Sequence, residues 1–183
     1  MPSAVEIFRD ILLLRRGPQD LPCSTQLLSV LAIACIAAQA IVRTIPAPVG
    51  LGESLLSSTL EIGLIVSALR LVLRLRGLGN RFVQAASGLL GVNLVFTLIN
   101  LPVVLVFGRV PIEAGRIVAE QITPTQMLLS PLILVLGLWQ LAVNAHVLRH
   151  SLNLSFAGGI AVIFGWIVLL SLLLSFLVAP QGV

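Results

Sequence analysis

The chain has 183 residues, of which 58% are hydrophobic and only 10% are charged, and its formal net charge is +4. A soluble domain carries about 25% charged residues, so this composition, with a mean hydropathy of +1.11, excludes a water-soluble globule and places the chain in lipid. The sequence pI of about 11.0 would indicate a nucleic-acid partner in a soluble protein, but these arginines lie in short loops between apolar runs, so we expect none.

The N-terminal residues 1–22 are predicted to form an amphipathic segment, with a helix that ends before Gly17 and Pro18. Its longest apolar run has four residues, far short of the roughly 20 that a transmembrane helix needs. Two placements are open for this segment. The helix lies in the cytoplasmic interface of the membrane, or it folds back and packs on the helical bundle.

Residues 23–183 are predicted to form one all-α transmembrane domain of five spans, since five apolar segments reach about 20 residues. A short helix on the outer side is predicted over residues 110–122, where apolar residues recur at helical spacing after Pro111. The five predicted spans comprise residues 24–42, 55–73, 88–107, 128–147 and 157–178.

The distribution of arginine between the loops predicts the orientation, because cytoplasmic loops of membrane proteins are enriched in basic residues. With the N-terminus in the cytoplasm, eight arginines fall inside and three outside, and five spans then leave the C-terminus outside. The inner set is Arg9, Arg15, Arg16, Arg70, Arg74, Arg76, Arg81 and Arg149, and the outer set is Arg43, Arg109 and Arg116.

Several of the inner arginines are predicted to contact lipid headgroups, including anionic ones, at about 1 kcal/mol each near the surface. The predicted headgroup contacts are Arg15, Arg16, Arg74, Arg76, Arg81 and Arg149.

Two ionisable residues lie inside predicted spans, Glu61 and Arg70. Each costs about 2.5 to 3.5 kcal/mol on insertion scales, so an intramembrane charge is a functional hypothesis by default. Nine residues of helix separate them by about 13.5 Å and half a turn. Glu61 and Arg70 therefore cannot pair with each other.

Depth along the helices suggests polar partners for both residues. An outer cluster is predicted from Glu61, Gln39 and Asn100, and an inner cluster from Arg70, Asn93 and Asn144. Interhelical hydrogen bonds in membranes contribute about 0.6 kcal/mol on average, a magnitude that favours a structural clasp. The alternative is a small transporter or channel subunit in which Glu61 carries a proton or binds a cation.

Small residues at four-residue spacing predict close helix contacts. One such stripe comprises Ala157, Ala161 and Gly165, and a shorter one comprises Ser87 and Gly91.

No arrangement of catalytic or cofactor-binding residues is apparent in the sequence. His146 and His150 have the spacing of two zinc ligands on one helix face, but the sequence offers no third ligand beside them. No nucleophile and base occur together either. We therefore predict no metal, no cofactor and no enzymatic activity.

The stretch 139–165 has a tryptophan, a mostly apolar helix, a short polar junction and a last span that opens with alanine and glycine. Together with the amphipathic N-terminus and five spans, this layout resembles the bacterial branch of the YIP family, membrane proteins named as Ypt-interacting. The resemblance implies a non-enzymatic, often oligomeric protein of the bacterial inner membrane. The expected function is a scaffold or accessory factor that binds lipids, other membrane proteins or copies of itself. The chain lacks the long acidic or aromatic tail of eukaryotic members, so GTPase binding is not implied.

Overall fold

The structure is a computed structural model that describes residues 4–46, 49–108, 112–113, 116–117 and 122–178. Four of its helices, α2 to α5 below, are long and apolar enough to cross a membrane, and they correspond to the first four predicted spans. The fold is therefore that of a helical membrane protein. The helices are α1 (Ala4–Leu12), α2 (Thr25–Arg43), α3 (Leu51–Leu75), α4 (Phe82–Phe107), α5 (Pro124–Leu152) and α6 (Phe156–Val178).

Local sequence sets the helix ends. The hydroxyl of Ser24 accepts a hydrogen bond from Leu27 N at 3.2 Å, and this cap satisfies one of the free N–H groups at the start of α2. α5 begins with a capping box between Thr123 and Gln126. Gln126 Nε2 also donates to Phe107 O at 2.9 Å, which ties the start of α5 to the end of α4. Asn153, in the left-handed conformation at φ 51°, ends α5.

The predicted short helix over residues 110–122 is wrong for the residues that the structure describes there. Two short strands, β1 (Ile112–Glu113) and β2 (Arg116–Ile117), pair antiparallel instead, with Ile112 opposite Ile117. In the sequence only two residues separate the strands and the second is a glycine, which is typical of a tight hairpin. The predictions for Arg109, for residues 110–111, 114–115 and 118–121, and for the C-terminal residues 179–183 fall outside the described residues.

The long helices pack side by side in the order α3, α2, α4, α5, α6, so α4 is central. The α3–α4 and α5–α6 junctions meet at one end of the bundle, where Arg81 Nη1 donates to Asn153 Oδ1 at 2.8 Å. We call this the basic end, because Arg74, Arg76 and Arg149 also belong to these two junctions. The other end, with the α2–α3 and α4–α5 junctions, is the far end.

The hydrophobic core lies towards the basic end. Residues 85–92 of α4 are buried on every face of the helix, whereas residues 97–107 are partly or fully exposed. The sequence placed the start of this span at residue 88 because Gln84 and Ser87 interrupt the apolar run. The helix nevertheless begins at Phe82, since its first turns are enclosed by protein and do not need to be lipophilic.

The N-terminal segment folds back on the bundle, which is the second of the two predicted placements. Ile7, Ile11 and Leu21 are 5%, 0% and 2% exposed, and α1 packs against α4 and α5. Gly91 makes room for this helix, because a Cβ there would lie 2.1 Å from Phe8 Cε1. The segment and the transmembrane helices therefore share one core.

Side chains of α4 and α5 bind the backbone at the end of α1 and in the segment that follows it. Trp139 Nε1 donates to Leu12 O at 3.1 Å. His146 Nε2 lies 3.0 Å from Arg16 O, and it must be the donor because a carbonyl oxygen only accepts. Gln84 Nε2 donates to Leu21 O at 2.8 Å and also to Gln19 O at 3.0 Å. These bonds replace the water that an exposed loop would use.

The closest approach between α5 and α6 is not at the predicted stripe. A Cβ at Gly159 would lie 2.5 Å from Ala145 O, whereas a Cβ at Gly165 would meet nothing within 4 Å. In the predicted stripe of Ala157, Ala161 and Gly165, Gly165 therefore makes no close helix contact. The close approach of α6 to α5 occurs at Gly159.

Candidate functional site

Glu61 is half-buried near the far end, where it forms an ion pair with Arg43 on the last turn of α2. Arg43 Nη1 also donates to Ser57 Oγ at 3.4 Å, so the guanidinium bridges two turns of α3. Sequence reasoning assigned Arg43 to a loop and missed this pair. Its spacing gave no signal, because Arg43 ends α2 whereas Glu61 lies ten residues beyond the start of α3.

The partners predicted for Glu61 are corrected by the structure. Asn100 Nδ2 donates to Phe96 O at 2.9 Å within its own helix. Gln39 Oε1 is buried, and no described residue gives it a hydrogen bond. Matching residues by depth alone ignored the direction in which each side chain leaves its helix.

Arg70 does not join the inner cluster either. Its side chain is exposed, and its guanidinium carbon lies 5.5 Å from the centre of the Phe82 ring at the start of α4. This is a cation–π contact that a long side chain reaches by extending towards the membrane surface.

The other two residues of the predicted inner cluster, Asn93 and Asn144, line the same cavity. Gln140 Nε2 donates to Asn93 Oδ1 at 2.9 Å, which links α4 to α5, and Asn144 follows Gln140 one turn later on the same face of α5. Both asparagines line a cavity of about 360 Å³.

This cavity lies between α3 and α6, and α4 and α5 form its floor. We call it the α3–α6 groove. Aliphatic side chains make most of its wall, from Leu71 and Leu152 near the basic end to Ile65 and Leu169 deeper in the bundle. The groove is therefore suited to a hydrocarbon chain.

Two polar atoms in the lining residues of the groove have no partner among the described residues. Asn144 Oδ1 and Trp166 Nε1 are both buried and both lack a hydrogen bond. Sequence reasoning treated Trp166 as bulk inside the last span, because no pattern in a single helix shows which residue its indole will face.

The six predicted headgroup arginines divide into two groups. Arg15, Arg74 and Arg76 are exposed at the basic end, as a contact with lipid phosphate requires. Arg16 pairs instead with Asp10 at 3.2 Å. The other two also bond within the protein: Arg81 to Asn153, and Arg149 Nε to His150 Nε2 at 3.4 Å.

The histidine pair is used in packing. The rings of His146 and His150 stack edge to face, 4.5 Å apart, and the Nε2 of His146 is already bonded to Arg16 O. No third histidine, cysteine or acidic residue joins them in the described part of the chain.

Comparison with known protein families, with curated proteins and with solved structures gives no match for this chain. The fold and the groove define a helical membrane protein with an apolar interhelical cavity, and the resemblance to the YIP family stays a prediction.

Proposed function

We propose that this chain is a non-enzymatic, YIP-like accessory protein of the bacterial inner membrane that holds a lipid in the α3–α6 groove. The observation that carries the proposal is the groove itself. Its volume of about 360 Å³ falls in the range of about 300 to 1,000 Å³ typical of small-molecule sites.

We further propose five spans, with the basic end in the cytoplasm. α6 has 23 residues, about 34 Å of helix, which is enough to cross a hydrocarbon core of about 30 Å. The exposed arginines Arg74 and Arg76 support the orientation through the positive-inside rule. The groove then opens within the inner leaflet, near the headgroups of its lipids.

The transporter alternative receives less support. Glu61 is already paired with Arg43, and such a pair is neutral as a unit. A clasp between α2 and α3 accounts for the Arg43–Glu61 pair without any transported ion, whereas a carrier needs a carboxylate that releases its partner. Proton or cation uptake by vesicles that is lost in Glu61→Gln, with normal assembly, would favour the alternative.

Native mass spectrometry of protein released from lipid vesicles tests lipid binding. The wild type should retain one lipid per chain, and Ala68→Trp, which fills the groove from α3, should lose it. Ala37→Trp is the matched control, because Ala37 is exposed on α2 and does not line the groove. Equal lipid retention by both variants, or none by the wild type, would refute the proposal.

A further inference from the structure

Arg76 lies one helical turn beyond the basic end of the α3–α6 groove. Its N–H bonds to Val72 O at 3.1 Å, so it continues the last turn of α3. Val72 and Leu69 line the groove, and Arg76 follows them by four and seven residues. Residues at this spacing share one face of a helix, and helical side chains lean towards the N-terminus of their helix. The side chain of Arg76 therefore leaves α3 on the groove face and leans towards the groove.

The other arginines of the basic end are directed elsewhere. Arg74 is also exposed, but it follows Val72 by two residues, about 200° around the helix. Its Cγ lies 3.8 Å from the position of a Cβ on Gly79, which places its stem over the α3–α4 junction. Arg81 bonds to Asn153 and Arg149 to His150. Arg76 is thus the arginine that the groove face of α3 presents at this end.

The protein supplies no anion to Arg76 among the residues that the structure describes. The ion pairs found there engage Arg9, Arg16 and Arg43, and Arg76 is exposed. Neither junction at the basic end, 74–82 or 149–159, contains an aspartate or a glutamate. The charge of Arg76 is therefore available to an anion from the membrane.

We infer that the α3–α6 groove selects an anionic phospholipid, with its phosphate bound by Arg76 and one hydrocarbon chain in the groove. A guanidinium suits this role because it donates two parallel hydrogen bonds to phosphate oxygens. The chain lies among aliphatic side chains such as Val72 and Leu152. This inference rests on the proposed function and adds the ligand class to it.

The headgroup needs a net negative charge and has to stay at the mouth of the groove. A zwitterionic headgroup would bring its own cation beside Arg76 and Arg74, whereas phosphatidylglycerol brings none. None of the described residues lining the groove is charged, so a phosphate drawn deeper would lose its water without gaining a partner. The cation at the mouth and the apolar wall behind it therefore fit the two parts of one amphiphile.

The experiment compares two lipids with the same chains and different headgroup charge. Purified protein in detergent micelles is offered equal amounts of dioleoylphosphatidylglycerol and dioleoylphosphatidylcholine, and each bound lipid is counted by native mass spectrometry. The wild type should prefer the phosphatidylglycerol about fivefold, the effect of one arginine on an anionic lipid. Ala68→Trp, which fills the groove, should bind neither lipid.

Two matched variants separate the groove arginine from the general positive charge of the basic end. Arg76→Gln should bind the two lipids within about twofold of each other and still retain phosphatidylcholine. Arg74→Gln removes the same charge from the same end of α3 and should keep the fivefold preference. Both side chains are exposed, so neither substitution disturbs the core.

The possible failures are distinguishable. If the wild type binds both lipids equally and Ala68→Trp expels both, the headgroup inference is wrong while lipid binding stands. A preference that survives Arg76→Gln, or that Arg74→Gln reduces as much, overturns the inference, because the anion is then attracted by diffuse charge. A preference that persists in Ala68→Trp places the anionic lipid outside the groove and also overturns it. If the wild type retains no lipid, the proposed function fails together with the inference.

Discussion

Two glycines of α6 differ sharply in what surrounds them. A Cβ on Gly159 would lie 2.5 Å from the backbone oxygen of Ala145, whereas open space surrounds Gly165. Backbone cannot move aside as the end of a flexible side chain can. Gly159 is therefore what allows α5 and α6 to approach each other.

We predict that Gly159→Ala lowers the free energy of unfolding by about 1 to 3 kcal/mol, as overpacking does. Gly165→Ala should be neutral or slightly stabilising, because alanine is the better helix former by about 1 kcal/mol. Thermal unfolding in detergent micelles measures both. Equal effects of the two substitutions would show that the α5–α6 contact is not this close.

The Arg43–Glu61 pair predicts a coupling energy. Its side chains are 41% and 32% exposed, so solvent or headgroups screen the charges, and the coupling should be about 1 kcal/mol. Unfolding of Arg43→Gln, Glu61→Gln and the double variant gives the value through a double-mutant cycle. The double variant should lose less stability than the sum of the single losses, and strictly additive losses would rule out the clasp.

At the scale of elements, the N-terminal segment behaves as part of the bundle. Ile11 on α1 is fully buried against the bundle, while Val5 on the same helix is 78% exposed. Ile11→Ala should destabilise the protein by about 2 to 4 kcal/mol, and Val5→Ala should stay within about 0.5 kcal/mol. Chemical unfolding in micelles compares them. If Ile11→Ala leaves the free energy of unfolding unchanged, the result would favour the placement of α1 in the membrane interface.

The helices were predictable from the sequence, whereas most of their partners were not. Apolar runs of span length predict α2 to α5 because the bilayer dictates length and composition. Asn93 and Asn144 were placed together from depth alone. Predicting the partner of Glu61 would have required the direction in which Arg43 leaves α2. Predicting the strand pairing at Ile112 would have required weighing turn residues above helical spacing.

The first turn and a half of α4, from Phe82 to the start of the predicted span at residue 88, was missed for a related reason. Gln84 looks like the end of a membrane helix when lipid is the only neighbour considered. In the structure it instead bonds the carbonyl of Leu21, so tertiary contact takes over from hydropathy. Single-helix patterns contain no information about such contacts between distant parts of the chain.

At the scale of the whole molecule, the proposed topology predicts which residues an impermeant thiol reagent reaches in intact cells. Cys23, exposed near the basic end, should stay unlabelled from outside, and Cys35 is buried. In a Cys23→Ser background, Gly50→Cys at the far end should label. Gly50 is a suitable site because a side chain there meets nothing within 4 Å.

Asn153→Cys in the same background is the control for the basic end and should behave like Cys23. External labelling of Asn153→Cys without labelling of Gly50→Cys would reverse the orientation. Labelling of both from outside would show that α3, α4 and α5 do not all cross the membrane.

The bond from Trp139 to Leu12 joins residues 127 positions apart. During synthesis, the carbonyl of Leu12 therefore waits until about three-quarters of the 183 residues have been translated before it meets this donor. Until then Phe8 and Ile11 must be covered partly by lipid or by the insertion machinery, since α5, one of the two helices against which α1 packs, does not yet exist. Biogenesis of this protein should consequently be most vulnerable to proteolysis before α5 emerges.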